Sequence, residues 1–390
     1  MKIPVAVPVV LVSCLFAVSP ATAQICGDKV RDVGEQCDDG ATHNLDGCSA
    51  TCQFEQTHRI TDLRLRQNLG DATCPDNRFG NALNTLSLIP TNNSIAASIE
   101  AGATSILLQF LGLDDLTGVD EAALQVGIMS GPPVLPGSIP YDGNATTDLD
   151  WWYTPAGALL DVDRLPANRL DGSITASALT TTPGAARVDL LLQGVPASFA
   201  ISGLHISVPT GAASTPLTSA GLPPGHLEAE QLDPALQSFA TAGTLTGIPA
   251  APSGRLCGNI SAMSMRLTPI PAALQAGGAT PCFEGYTLAN SLLDVFVVGC
   301  TGVPLVGTAV APSQPDKEDP AAPPAGDGPQ YTLTADPTTH IVNDCISNLV
   351  SVDLTTCLQD AAYSSHFRFL SQRVIARDDL IFEDGFETVI

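Results

Sequence analysis

The sequence has few basic and few aromatic residues, and these shortages exclude several classes of protein. Of 390 residues, 16 are lysine or arginine against 40 aspartate or glutamate, and the formal net charge is −24. Nucleic acid is therefore a poor partner, because each contacted phosphate requires a neutralising lysine or arginine. The chain is 44% hydrophobic and only 14% charged, which is too apolar for an acidic disordered protein, so most of it is expected to fold.

Motifs of common enzyme classes are also missing. The six histidines include no His-Glu-x-x-His spacing, which would place two imidazoles on one helical face for zinc. The sequence contains neither a Gly-x-Ser-x-Gly nucleophile elbow nor a glycine-rich phosphate-binding loop. These absences favour a non-catalytic protein that acts by binding a partner or as a structural component.

The first 23 residues have the pattern of a secretory signal peptide. Lys2 supplies the basic end, an apolar stretch runs from Ile3 to Val18, and Ala21-Thr22-Ala23 forms a small-residue cleavage site. This stretch is too short to span a bilayer, and no later segment is apolar enough to do so. Leu11-Val12-Ser13-Cys14 also resembles a bacterial lipobox, in which Cys14 would be the lipidated first residue of a periplasmic or outer-membrane lipoprotein. We therefore expect a secreted or cell-surface protein without a transmembrane segment.

Removal of residues 1–23 leaves ten cysteines, an even number. In an exported chain, an even count predicts disulfides formed in an oxidising compartment rather than catalytic thiols or zinc thiolates. All ten are expected to be half-cystines: Cys26, Cys37, Cys48, Cys52, Cys74, Cys257, Cys282, Cys300, Cys345 and Cys357.

Four of these cysteines lie in residues 24–56, a segment rich in glycine and aspartate that is too small to bury a core and needs crosslinks. Its most specific blocks are Gly34-Glu35-Gln36-Cys37-Asp38-Asp39-Gly40 and Asp46-Gly47-Cys48-Ser49-Ala50-Thr51-Cys52. From Cys26 to about Glu55 the sequence resembles the Myxococcus-type cysteine-rich disulfide repeat family. The resemblance implies a structural or interaction module of an exported protein, without a defined catalytic role.

Hard oxygen donors cluster in the same segment and in a second one further along. The first cluster is Asp38, Asp39, Asn44 and Asp46, and the second is Asp161, Asp163, Asn168 and Asp171. Calcium prefers such ligands, so calcium is a candidate cofactor and a calcium-dependent surface protein is one functional hypothesis. Neither cluster has the ligand spacing of an EF-hand. Aspartate and glycine also form the turns that a disulfide-crosslinked or solvated loop needs, so the residues can have this structural role instead. Both interpretations stay open.

Residues 57–310 alternate short apolar stretches with clusters of glycine, proline, asparagine, aspartate and threonine, a pattern typical of strands joined by turns. We predict a mainly β fold, with an antiparallel, β-sandwich-like body and a few short helices. The predicted strands are residues 59–66, 84–89, 105–111, 124–129, 173–179, 187–193, 198–208 and 261–268. A slip in the alternation at Gly203 predicts a β-bulge. Residues 93–112 weakly echo 172–194, which suggests either two copies of one hairpin-like unit or two related sheets.

Helical spacing predicts helices over residues 227–240, 288–298 and 346–362. A single helix over the last range would place Cys345 and Cys357 about 18 Å apart, too far for a disulfide. On that assumption they would pair with Cys282 and Cys300, and Cys74 would pair with Cys257.

Three further segments follow the β-rich body. Residues 311–330 contain six prolines and no apolar period, which is typical of a linker or loop. Residues 331–376 are interpreted as a C-terminal α/β segment, and residues 377–390 as an acidic tail.

One segment has the composition of a ligand-binding site. Asp148-Leu149-Asp150-Trp151-Trp152-Tyr153 holds both tryptophans of the chain. Asp148, Asp150, Trp151 and Trp152 are the candidate site for a surface glycan or protein, because aromatic rings stack on sugars and carboxylates bond their hydroxyls. On a strand the two indoles would point to opposite faces, so at least one would pack in the core. A third interpretation is a pair of catalytic carboxylates, which makes a secreted hydrolase acting on glycans the alternative function.

Overall fold

Strands dominate the described part of the chain. The computed structural model describes residues 26–28, 30, 32, 33, 35, 38, 42, 44, 49–52, 56–67, 73–113, 118–134, 152–153, 156–211, 240–241, 254–302, 308–318 and 331–376. The predicted signal peptide, the predicted helix up to residue 239 and the acidic tail lie outside these residues.

The strands are β1 (Gln56–Leu65), β2 (Ile106–Leu111), β3 (Glu121–Ser130), β4 (Pro133–Val134), β5 (Trp152–Tyr153), β6 (Arg169–Thr175), β7 (Ala178–Thr181), β8 (Gly184–Leu192), β9 (Val195–Gly211), β10 (Ala240–Thr241), β11 (Gly254–Ser261), β12 (Cys300–Thr301), β13 (Thr308–Val310), β14 (Lys317–Glu318), β15 (Tyr331–Ala335), β16 (Val342–Ser347), β17 (Val350–Ser351) and β18 (Ala361–Ala376). The helices are α1 (Arg78–Ala82), α2 (Thr85–Glu100), α3 (Ala262–Leu267), α4 (Leu292–Val298) and α5 (Leu354–Asp360), with single 3₁₀ turns at Gly157–Leu159 and Ala272–Leu274.

Eight strands pair in a closed antiparallel ring, in the order β1, β2, β3, β6, β7, β9, β11 and β18. The last of these strands pairs with the first, from Thr57 opposite Val374 to Leu65 opposite Phe367. Further strands attach outside the ring: β8 and β10 pair with β9, and β5 and β14 pair with β18. The prediction of a mainly β fold with an antiparallel body, few helices and a disulfide-bonded N-terminal segment is confirmed.

The ring and the elements around it enclose one apolar core, to which every ring strand contributes. In β9, the buried side chains Phe199 and Ile201 precede Gly203, and Leu204 and Ile206 follow it. The alternation therefore shifts by one residue at Gly203, whose φ of 56° is left-handed, and the register with β11 shifts at the same place. The predicted bulge is confirmed. Each fully buried large apolar side chain contributes about 1.5–3 kcal/mol to burial free energy.

Two predicted strands are helices, and these predictions are wrong. Residues 84–89 belong mostly to α2, whose buried residues Thr91, Ile95 and Ile99 recur every fourth position and face the core. Residues 262–267 of the predicted strand 261–268 form α3, whose N-terminus is capped by Ser261. Because residues 93–98 are helical whereas 172–175 are a strand, the predicted repeat of one hairpin unit is also wrong. Residues 173–179 span the β6–β7 hairpin rather than one strand.

The predicted helix at residues 288–298 begins later than expected, at Leu292. Ser291 caps it: its side chain accepts from the backbone N–H of Asp294, and the Asp294 side chain accepts in return from the backbone N–H of Ser291. This reciprocal cap satisfies two helix-end donors and fixes the start of α4.

Four disulfides crosslink the described residues: Cys26–Cys52, Cys74–Cys257, Cys282–Cys300 and Cys345–Cys357, with Cα–Cα distances of 5.5, 5.6, 5.1 and 6.4 Å. The predicted Cys74–Cys257 pair is confirmed. The prediction that Cys345 cannot pair with Cys357 is wrong, because residues 346–362 are not one helix. The hairpin of β16 and β17 reverses the chain, and α5 then returns Cys357 to Cys345. Cys37 and Cys48 lie outside the described residues.

The first part of the proline-rich segment runs along the body. The backbone N–H of Ser313 donates to the carbonyl of Phe296, Asp316 accepts from the backbone and hydroxyl of Ser364, and β14 pairs with β18. Residues 319–330 lie outside the described ranges. Within those ranges, no helix has the length and apolarity needed to cross a bilayer.

Candidate functional site

A groove of about 580 Å³ opens where the β8–β9 hairpin meets α3 and α5. Strand alternation builds one wall of it. On these two strands Val188 and Phe199 are buried in the core, while their neighbours Arg187, Ser198 and Ala200 point outward and line the groove. The same hairpin thus supplies apolar residues to the interior and a mixed polar surface to the outside.

The opposite wall is α3 with its two capping residues, Ser261 and Thr268, and hydroxyl groups hold this helix in place. The Ser264 hydroxyl accepts from the backbone N–H of Ala200 at 2.9 Å and lies 2.8 Å from the hydroxyl of Ser261. The Thr268 hydroxyl donates to the carbonyl of Ser264 at 2.8 Å. The bond from Ala200 ties the helix to β9, and the other two brace both ends of the helix.

Arg187 places a positive charge at the edge of the groove. Its Nε lies 3.0 Å from Oδ1 of Asp189, and the arginine side chain is 56% exposed. Burial alone would raise the pKa of Asp189, but hydrogen bonds from Ser198, Arg187 and Ser130, with the charge of Arg187, lower this pKa below its ordinary value. Asp189 is therefore an anion at neutral pH and orients the guanidinium on the strand surface.

The rest of the groove surface is largely apolar and adaptable. Leu267 is 75% exposed, Met263 is half-buried beside it, and the exposed Gln359 adds an amide from α5. Among the described residues that line the groove there is no imidazole, thiol or carboxylate. Outside this lining, the carboxylate of Asp189 accepts a hydrogen bond from the Ser198 hydroxyl.

The predicted glycan or protein site falls mainly outside the described residues, which include neither Asp148 nor Asp150 nor Trp151. The backbone of Trp152 lies in β5, opposite Ile375 of β18 and Val134 of β4. The interpretation of this segment as a binding site or a catalytic carboxylate pair stays a prediction.

Of the predicted calcium ligands in the N-terminal module, two have described positions. Asp38 accepts with Oδ2 from the backbone N–H groups of Gly27 and Asp28, at 3.1 and 3.2 Å. The side-chain oxygen of Asn44 accepts from the backbone N–H of Ala50, and its amide donates to the carbonyl of Asp163 at 2.7 Å. Asn44 therefore joins the module to the body. Asp39 and Asp46 lie outside the described residues.

The second acidic cluster forms part of a structured turn. Asp161 makes an ion pair with Arg169 at 3.1 Å, and its Oδ1 accepts from the backbone N–H groups of Asp163 and Leu165. Asp171 accepts from the side-chain amide of Gln125 at 2.9 Å. The carboxylates of Asp161 and Asp171 thus have protein partners in this arrangement.

The groove residues were not among the sites predicted from sequence. They come from three separated stretches of the chain, 187–200, 261–268 and 359, and no short motif links Arg187 to Leu267 or Gln359. Ser261 is the one groove residue whose local role the sequence indicates, because a serine that precedes Ala262 and Met263 is a good helix N-cap. Comparison with protein-family models, curated proteins and solved structures finds no match to this chain.

Proposed function

We propose that this chain is an exported, non-catalytic binding protein, stabilised by disulfides, that holds its ligand in the groove between the β8–β9 hairpin and α3. Four disulfides in the described residues and the signal-peptide pattern support export, because structural disulfides persist in oxidising compartments. The single observation that carries the binding assignment is that Arg187, paired with Asp189, and the exposed apolar Leu267 line one groove.

The chemistry of the groove favours a segment of a partner protein that presents an apolar side chain next to a carboxylate. Arg187 supplies the complementary charge, and Met263 and Leu267 supply an adaptable apolar surface. Sugar rings are usually bound by aromatic stacking, and no described residue that lines the groove is aromatic. A protein partner is therefore favoured over a glycan at this site.

The test is a binding screen of the mature, oxidised chain against a peptide array and a glycan array, with hydrolysis assays on the same substrates. The variants R187Q and L267S should each weaken binding to the best peptides by at least about tenfold, consistent with loss of an interface anchor. R64Q and L288S are matched controls. Arg64 also pairs with an aspartate two residues away on a strand, and Leu288 is a leucine of similar exposure, 86% against 75%, outside the groove lining.

Two results would refute the proposal. Turnover of any substrate that is lost in R187Q would make the groove an active site. Peptide or glycan binding that is unchanged in both groove variants would place the ligand elsewhere, with the segment around Trp152 as the next candidate.

A further inference from the structure

A buried carboxylate in the N-terminal module has one oxygen without a hydrogen-bond partner. Glu35 is 5% exposed, and its Oε2 accepts from the backbone N–H of Asp32 at 2.7 Å. Its Oε1 is buried and has no hydrogen-bond partner among the described residues. Buried polar atoms are nearly always paired, and a bound ion or an ordered water is a common partner for an orphaned carboxylate oxygen.

A second carboxylate lies beside the first. One oxygen of Glu35, one oxygen of Asp38 and the Sγ of Cys52 all lie within 4.8 Å of one another. The sulfur is bonded to Cys26 and therefore is not available as a thiolate ligand. Two carboxylates at this distance repel each other, and the repulsion grows with burial. A cation bound by both carboxylates removes this repulsion, and Oε1 is the Glu35 oxygen that has no hydrogen bond to give up.

The donor set selects the class of cation. Carboxylate oxygens are hard ligands that suit calcium, whereas soft metals prefer thiolates and imidazoles. Two carboxylates supply only part of the six to eight oxygens that calcium takes, and water completes the shell in weak extracellular sites. Asp38 is only partly buried, unlike Glu35.

We propose that Glu35 and Asp38 bind one calcium ion that braces the Cys26–Cys52 loop. Glu35 is not among the ligands expected from the sequence clusters, and the assignment is independent of the groove. With two protein carboxylates, the dissociation constant should fall at about 10⁻⁴–10⁻³ M, as in extracellular modules.

The experiment uses equilibrium dialysis of ⁴⁵Ca²⁺ against the oxidised mature chain and three variants, E35Q, D38N and E284Q. Glu284 is the matched control: it also lies beside a disulfide, Cys282–Cys300, but its oxygens accept from the backbone N–H of Thr301 at 3.0 Å. The native chain and E284Q should bind one calcium ion in this range. E35Q and D38N should bind at least about tenfold more weakly, because each loses one charged ligand.

A second measurement does not depend on the variants folding. Calcium at 10 mM should slow reduction of Cys26–Cys52 by dithiothreitol about tenfold in the native chain, since a ligand that binds only the folded module opposes its opening. The Cys282–Cys300 disulfide provides the internal control. The proposal is overturned if the native chain binds no calcium at 10 mM. It is also overturned if E35Q binds as tightly as E284Q, or if calcium leaves the reduction rate of Cys26–Cys52 unchanged.

Discussion

Asp294 lies fully buried with its Oδ1 2.8 Å from the Nη1 of Arg266, an ion pair that joins α4 to α3. The same oxygen accepts from the backbone N–H of Val342 at 2.8 Å, and Oδ2 accepts from the backbone and hydroxyl of Ser291 at 2.7 and 2.9 Å. One carboxylate therefore holds two helices and β16 together. Because Arg266 belongs to α3, this ion pair also supports the helix that forms one wall of the groove.

We predict that D294N destabilises the protein by about 3 kcal/mol. Asparagine has a single acceptor oxygen, so a buried donor loses its partner and Arg266 loses its counter-charge. Urea denaturation followed by circular dichroism measures the change. D344N alters an exposed aspartate and should cost less than about 0.5 kcal/mol. Equal stability of the two variants would show that the buried pair contributes nothing net.

The disulfides should differ in how much they stabilise the fold. The loop closed by Cys74–Cys257 spans 183 residues, against 12 for Cys345–Cys357. Loop-closure entropy predicts about 5 kcal/mol for the first and about 3 kcal/mol for the second. The double variants C74A/C257A and C345A/C357A, compared by urea denaturation, should therefore rank in that order. The reverse order would mean that strain or residual structure outweighs loop length.

Cys37 and Cys48 are expected to pair with each other. The described disulfides account for eight of the ten cysteines that follow the predicted cleavage site, and the remaining two complete an even set. Peptide mapping by mass spectrometry without reduction should recover a peptide linked through Cys37 and Cys48. Two free thiols in the native secreted protein would contradict both this pairing and the interpretation of all ten cysteines as half-cystines.

The Ser198 hydroxyl should lower the pKa of Asp189, the carboxylate at the groove edge. Since the folded-state pKa of Asp189 is lowered, its ionised form stabilises the fold above the unfolded value of 3.8, and this contribution is lost as pH falls through the folded value. S198A removes one hydrogen bond to the carboxylate, so the pKa of Asp189 should rise. Titration followed by carboxyl-carbon NMR measures it, with S207A on the same strand as the control. An unchanged pKa in S198A would exclude this hydrogen bond as a cause.

Local patterns predicted much of the strand content. The period-two alternation in β9 located both the strand and the bulge at Gly203, because one face is buried and register errors would expose it. The pattern failed at residues 84–89, where a short apolar run fits a strand or a helix equally well. Thr91, Ile95 and Ile99 carry the four-residue spacing that decides for a helix, but they lie beyond that run.

Contacts between residues far apart in the sequence were harder to predict. The distance argument that separated Cys345 from Cys357 was geometrically sound but assumed one uninterrupted helix, and the turn at Asn348 and Leu349 removes that premise. The groove brings Gln359 and Arg187 into one lining, and no local periodicity encodes such a long-range arrangement. Glu35 was overlooked because its significance comes from burial and from an unpaired oxygen, neither of which a single sequence displays.

The closure of the ring between β1 and β18 has a consequence for biogenesis. The ribosome releases Gln56 about three hundred residues before Ala361, so the pairing of β1 with β18 must wait until those intervening residues are made. Until then the growing chain exposes unsatisfied strand edges, which are templates for aggregation. A product terminated before residue 361 would keep those edges permanently, and quality control by chaperones and proteases should remove it.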